Sequence, residues 1–293
     1  FNAMLATLNP GDEVIVPVNT FIATAEAVIR AGCVPVYADV TTDALVDPAA
    51  LGAAVTTRTV GIVAVHLYGQ MPDMEAIQAV ASRHGLFVLE DAAQAHGAAQ
   101  HGRSAASFGA AAGTSFYPGK NLGAYGDAGA LLTNDAHLAR KARLTASHGS
   151  EQRYLHETFG FNSRLDTIQA VVLSAKLRGL APANARRRVA ADRYEDLLAR
   201  VPTVVCPRTM PGNTHVWHLY VIRVPGRDRI LAHLNRCGIG AALHYPIPLH
   251  LTPALTSERF RRGQFPIAEA LAESILSLPL FPQISAAQQE RVV

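Results

Sequence analysis

Along its first half the chain repeats one pattern, a short β-branched apolar run followed by an Ala-rich stretch whose apolar residues recur at helical spacing. The runs that predict strands are Val14–Pro17, Val34–Tyr37, Val60–Val65, Leu86–Glu90, Thr114–Phe116 and Ala130–Thr133. Helices are predicted over Thr20–Ala31, Asp73–His84, Ala92–Ala99 and Asp135–Ser147. Such alternation predicts an α/β architecture, a mainly parallel sheet with flanking crossover helices. The last two runs are joined by a loop too short for a crossover helix, so one strand is expected antiparallel and the sheet mixed. Before the first strand, Asn9-Pro10-Gly11-Asp12 is a breaker, and Phe1–Leu8 reads as the last turns of a helix.

Near Leu180-Ala181-Pro182 the pattern changes to a long polar helix over 184–200, then sparse strands such as Trp217–Val224. Helices are predicted near Arg227–Cys237, Ile267–Leu276 and Ala286–Val293. This places a domain boundary between 1–180, a large domain, and 181–293, a smaller α+β domain. The length of 293 residues, about twice the ~150 used as a prior for one domain, agrees with that division.

Composition narrows the class. With 49% hydrophobic and 17% charged residues the chain can bury a large core and is not a disordered one. A formal charge of +3 gives no support to nucleic-acid binding, and the Arg186-Arg187-Arg188 triplet reads as a solvated helix face. Cys33, Cys206 and Cys237 form no CxxC pair, which suits a reducing compartment. No apolar run has the length of a membrane span, so a cytoplasmic protein is expected. No His/Cys/Asp group has the spacing of metal ligands, and no G-x-G-x-x-G turn sits between a strand and a helix.

Two clusters carry candidate chemistry. Ser115-Phe116-Tyr117-Pro118-Gly119-Lys120-Asn121-Leu122-Gly123-Ala124-Tyr125-Gly126-Asp127 is a Gly-rich loop after a strand with a lysine in its middle. In an open α/β sheet, ligands bind outside the carboxyl ends of the strands, where such a loop can hold Lys120 against a ligand; the plainer alternative is a surface lysine. In Glu90-Asp91-Ala92-Ala93-Gln94-Ala95-His96-Gly97 an apolar strand ends in two carboxylates. Asp91 would lie in the same crevice, suited to keeping a ring nitrogen protonated, or would cap the helix predicted after it. Glu90 points to the other face.

Together with Thr20–Ala27, His66-Leu67-Tyr68-Gly69, Phe161–Asp166, His215–Tyr220, His244-Tyr245-Pro246 and Leu276–Pro282, these clusters resemble the DegT/DnrJ/EryC1/StrS sugar aminotransferases. These are pyridoxal-phosphate (PLP) enzymes of the aspartate aminotransferase, or type I transferase, fold, and the resemblance runs over almost the whole chain. It implies that Lys120 attaches the cofactor and moves the proton, that Asp91 holds the pyridine nitrogen protonated, and that Gln94 lies near the phenolic oxygen. It implies further that Phe21 stacks on the ring, that Ser115 binds the phosphate, and that Asn162 reaches the phosphate from the second subunit of a homodimer with shared active sites. His66 would pack under the cofactor. Tyr125, His148, Arg164, His218, His244, Tyr245 and His250 are candidates for the substrate.

The family's remaining phosphate ligands lie in a Gly-Thr-Ala turn opening a helix. Phe1–Leu8 corresponds to the end of that helix, so the large domain is expected to lack its N-terminal part here and to bind the cofactor poorly. A lysine at 120, where a dehydrating branch has histidine, implies transamination. The loop wording resembles members acting on 3-oxo sugars. The substrate expected is a nucleotide-linked keto sugar, a dTDP-3-oxo-6-deoxyhexose, with L-glutamate as amino donor. The alternatives are a UDP-linked 3-oxo or 4-oxo sugar, and a catalytically silent regulatory member of the family.

Overall fold

The computed structural model describes residues 8–257 and 259–293. The helix end expected at Phe1–Leu8 lies, apart from Leu8, outside the described residues. Strand β1 (Glu13–Pro17) is buried along its whole length, as a Val/Ile run is when both faces of its sheet are covered. The chain continues through α1 (Ala23–Arg30) to β2 (Val34–Ala38), α2 (Pro48–Ala54) to β3 (Thr59–Val65), and α3 (Met74–His84) to β4 (Phe87–Asp91). Asp47 and Asp73 cap α2 and α3 by accepting from Ala49 N and Ala76 N, and α3 stops at Gly85 with a left-handed φ of 66°.

A narrow ribbon of β5 (Ala99–Gln100) and β6 (Arg103–Ser104) precedes β7 (Ala111–Ser115) and β8 (Gly129–Leu132). The main sheet has the order β2-β1-β3-β4-β7-β8, parallel except for β8, which runs antiparallel to β7 as the short connection requires. Alternate residues of β1 serve different cores: Val14 and Val16 join one apolar cluster and Ile15 the other, on the opposite face.

After the sheet come α4 (Ala136–Ala146), the ribbon β9 (Ser150–Gln152) and β10 (Leu155–His156), α5 (Thr167–Leu177) and the long α6 (Leu180–Leu198). Then β11 (Asn213–Thr214) pairs back onto β5. β12 (Tyr220–Arg223) pairs antiparallel with β13 (Ile275–Leu278), and α7 (Arg227–Arg236), α8 (Pro266–Ser274) and α9 (Ala286–Val292) complete the described chain. Tyr194, Trp217, Tyr220, Ile222 and Leu276 form a third core. Among the described residues no helix is long and apolar enough to cross a membrane.

Four expectations are corrected. No helix forms over 92–99: Ala92 N is taken by the Gly113 carbonyl, and Gly97 adopts a φ of 88°, so the segment is a chain of turns. The helix expected to reach Leu276 ends at Ser274, because the next residues pair with β12. Of the arginine triplet, Arg186 and Arg188 are exposed but Arg187 is buried. His66 does not line the Asp91 side of the sheet; its Nε2 lies 2.8 Å from Glu90 Oε2, and both side chains are fully buried.

Glu90 also accepts from the backbone N–H groups of Ala106, Phe108 and Gly109 at 2.7–2.8 Å. Burial alone would raise its pKa, but the His66 contact and these N–H groups outweigh burial and hold it below the ordinary carboxylate value. A depressed folded-state pKa gives stability that is full above the unfolded carboxylate pKa and is lost as pH falls through the lower folded value. Glu90→Gln is therefore expected to cost about 2 kcal/mol at neutral pH and to flatten the acid limb of stability against pH, read by denaturant unfolding at a series of pH values.

Candidate functional site

The carboxyl ends of the parallel strands gather the polar residues. At the end of β4, strand alternation sends Asp91 to the face opposite Glu90. Its Oδ2 accepts from Thr24 Oγ1 of α1 at 2.8 Å and its Oδ1 from Ala93 N at 3.2 Å, so the carboxylate is braced from two elements. With no helix after it, Asp91 closes a turn and does not act as a helix cap. Three residues on, Gln94 is buried, its Oε1 accepting from Tyr68 N at 2.6 Å and its Nε2 donating to Tyr245 Oη at 3.2 Å. Tyr68 Oη in turn donates to the His244 carbonyl. Burial, with Asp91 nearby, pushes the Tyr245 phenol up to about 12, so it stays protonated. The Phe21 ring, 5.7 Å from that of Tyr245 between centroids, is 54% exposed, which leaves aromatic surface open to a ligand.

Lys120 arrives on the loop between β7 and β8. The loop doubles back so closely that a Cβ on Gly123 would stand 2.4 Å from the Pro118 carbonyl oxygen, which accounts for a glycine there. Lys120 N donates to Tyr117 O, and its side chain is half-buried. Burial lowers the pKa of this amine and Asp91 draws it back up. The imidazoles that feel its charge are His96, His218 and His244, each held below its ordinary pKa chiefly by burial, His96 down to about 4. An amine, a carboxylate and three neutral imidazoles therefore share one poorly solvated pocket.

Asn121 joins this pocket to α6. Its Nδ2 donates to the Val216 carbonyl at 2.9 Å and to Asn184 Oδ1 at 3.0 Å, and its Oδ1 lies 3.1 Å from His218 Nδ1. Asn184 Nδ2 reaches the His96 carbonyl at 2.8 Å. Arg187, one turn further along α6, donates to the carbonyls of Trp217 at 3.1 Å and Leu280 at 3.0 Å. None of these α6 contacts was anticipated. The available signal was an Asn and an Arg three apart on one face of an Ala-rich helix.

The other candidates fall elsewhere. Ser115 lines, with Asp91, Thr114 and Arg164, a groove of about 1150 Å³ along the sheet. Asn162 is exposed and accepts from Arg164 Nε at 2.9 Å. Tyr125 and His148 are exposed as well, Tyr125 lying under the Lys176 ammonium at 4.8 Å. His250 does not join the pocket: it is fully buried, with Nε2 3.0 Å from Glu269 and its ring edge-on to Phe265. Among the described residues no group of three or more His, Cys, Asp or Glu side chains is placed to hold a metal ion.

Comparison with known proteins gives the relatives of this arrangement. The chain is 48% identical over 291 residues to a "Pleiotropic regulatory protein" of Geobacillus stearothermophilus, covering 98% of this chain and 78% of that one. It is 45% identical over 287 residues to the dTDP-3-amino-3,4,6-trideoxy-alpha-D-glucose transaminase of Streptomyces venezuelae, covering 98% and 76%. The crystal structure of S. venezuelae DesV in complex with a ketimine intermediate superposes with a TM-score of 0.95 at 44% identity, over 99% of this chain and 80% of that one. The model of the DegT/DnrJ/EryC1/StrS aminotransferase family matches residues 2–293, and the chain belongs to that family.

Proposed function

We propose that the protein is a PLP-dependent aminotransferase that transfers an amino group from L-glutamate to a nucleotide-linked keto sugar, a dTDP-3-oxo-6-deoxyhexose. The observation that carries this reading is a half-buried Lys120 amine in the field of a braced Asp91 at the carboxyl end of a parallel sheet. The family's cofactor is pyridoxal phosphate, and the donor set suits it: an amine, a carboxylate, a hydroxyl at Ser115 and an open aromatic ring at Phe21. The 3-amino sugar in the name of the Streptomyces relative supports amination at C3.

When bound, pyridoxal phosphate supplies the electron sink that lets an amino acid give up its α-proton. Lys120 is the group that would attach to it and then carry that proton, and burial favours the free amine a base must be. Asp91, fixed by Thr24 and Ala93, holds a proton on the pyridine nitrogen, since a carboxylate favours a cationic neighbour in a poorly solvated site. Gln94, anchored by Tyr68 and Tyr245, stands for the phenolic oxygen, and Ser115 for the phosphate. His218, His244 and Tyr245 are assigned to the substrate side of the pocket, while Tyr125, His148 and Arg164 are exposed. The catalytically silent regulatory alternative, suggested by the name of the Geobacillus relative, would not need this pairing of lysine and aspartate.

A homodimer belongs to the same reading. Tyr154, Phe159, Phe161, Ile168 and Val171 are 56–100% exposed, on the segment between α4 and α5 and on α5, and exposed apolar side chains in such number suit a contact with another chain. A second copy, through a two-fold interface, is the occupant we assign, and it would bring the partner subunit's Asn162 to the phosphate. If the chain divides into 1–180 and 181–293, as its pattern suggests, the cofactor residues would fall mainly in the first part.

Three outcomes test this. In the intact protein, addition of pyridoxal phosphate is expected to give a visible absorption band that Lys120→Ala loses, and borohydride reduction should fix the cofactor on the peptide containing Lys120; an unchanged band in the variant removes the lysine assignment. After conversion with glutamate, only a 3-oxo dTDP-sugar should restore the band; recovery with the 4-oxo sugar alone refutes C3. Val171→Glu should shift the sedimentation profile toward the monomer while changing stability by no more than about 0.5 kcal/mol, as expected for an exposed side chain.

A further inference from the structure

We propose that Asn184 and Asn121 are positioning residues that fix His218 as the Nδ1–H tautomer, so that its Nε2 is left bare as a hydrogen-bond acceptor. The proposal rests on the aminotransferase reading only for its kinetic consequence. The direction of the chain is forced at both ends by groups that can only accept. The His96 carbonyl accepts a hydrogen bond from Asn184 at 2.8 Å, so the atom of Asn184 facing that carbonyl is Nδ2 and the atom facing Asn121 is Oδ1. The Val216 carbonyl, 2.9 Å from Asn121, likewise demands Nδ2 there, and both N–H bonds of that amide are then spent. Asn121 Oδ1 is left facing His218 Nδ1 at 3.1 Å, and it can only accept. The proton of the neutral imidazole therefore sits on Nδ1 and the lone pair on Nε2.

Three further observations hold the ring in this state. Burial, reinforced by the positive charges of Lys120 and Arg187 and by the neighbouring His96 and His244, keeps His218 well below its ordinary pKa and so uncharged at neutral pH. Arg187 holds the backbone just before it through the Trp217 carbonyl and ties that point to the Leu280 carbonyl. Space at the junction is tight: a Cβ on Gly97 would stand 2.9 Å from Asn184 Nδ2. Meanwhile Nε2 of His218 has no protein partner among the described residues and is not shut off from the pocket. The charge of Lys120 acts on this ring, and a bare Nε2 is an acceptor that a cationic donor can use; the opposite tautomer would present it an N–H.

The test uses protein labelled with 15N-histidine, with His218→Gln assigning the resonance. At neutral pH the cofactor-free protein is expected to show His218 with a protonated Nδ1 and a bare Nε2. Asn121→Leu and Asn184→Ala should move it toward the Nε2–H form. Tyr194→Phe, which removes one hydrogen bond from the same helix to the Pro279 carbonyl, should leave it unchanged. In amino transfer, Asn121→Leu should lower kcat by about tenfold with a smaller change in KM, a fraction of what a full acid–base group supplies. A wild-type His218 with Nε2–H, or a tautomer unmoved by both asparagine variants, overturns the proposal. A wild-type protein with the expected tautomer but no amino transfer upholds the positioning and overturns the aminotransferase reading instead.

Discussion

A β-strand cannot put two neighbouring side chains on one face, and at the end of β4 that constraint separates two carboxylates into different jobs. Glu90 is driven into the interior, where His66 and three backbone N–H groups satisfy it and tie the strand to the loop before β7. Asp91 is driven to the other face, where Thr24 braces it near Lys120. The first pairing fixes where β4 stands relative to its neighbours, and the second depends on that placement. Shifting the register by one residue would bury the carboxylate the pocket needs and leave the structural one without its donors.

The pocket is an electrostatic compromise. Burial disfavours charge, so the histidines of the pocket lose their protons and the lysine gives up part of its hold on its own. Asp91 is the counterweight for Lys120, the carboxylate whose charge draws the amine's pKa back up. His250, by contrast, meets a carboxylate of its own in Glu269 and spends its ring on the packing of α8. The contrast between His218 and His250 lies entirely in what surrounds each ring.

Much of the sheet was legible because its strands are β-branched runs punctuated by caps and breakers that act locally. Asp73 and Gly85 mark α3 from its own sequence, and the short link after β7 announces an antiparallel neighbour. What sequence pattern missed depends on partners distant along the chain. The Ala-rich stretch after Asp91 has helical composition, yet its backbone donors are claimed by β7 and by turns. Ile275–Leu278 is a short apolar run that helix and strand patterns both accept until β12 lies beside it. In the pocket, Lys120 and Asp91 stand out by their loops, and the resemblance pointed to His218, His244 and Tyr245. Asn184 and Arg187 do not stand out, since a polar residue on a polar helix gives no local sign that it faces a backbone carbonyl in another segment.

The loop that carries Lys120 leaves and rejoins the sheet at one place: Ser115 pairs with Gly129, and Phe116 N donates to the Ala128 carbonyl at 2.8 Å. Its ends are therefore sewn together by the sheet whatever lies between them. Chain-closure entropy grows only with the logarithm of loop length, so an added residue would change the free energy of folding by a fraction of a kcal/mol, of order 0.1. The same residue would carry the amine away from Asp91. Tolerance to heat and competence in the pocket are thus set by different parts of one loop, and a melting curve alone would not reveal the loss of the second.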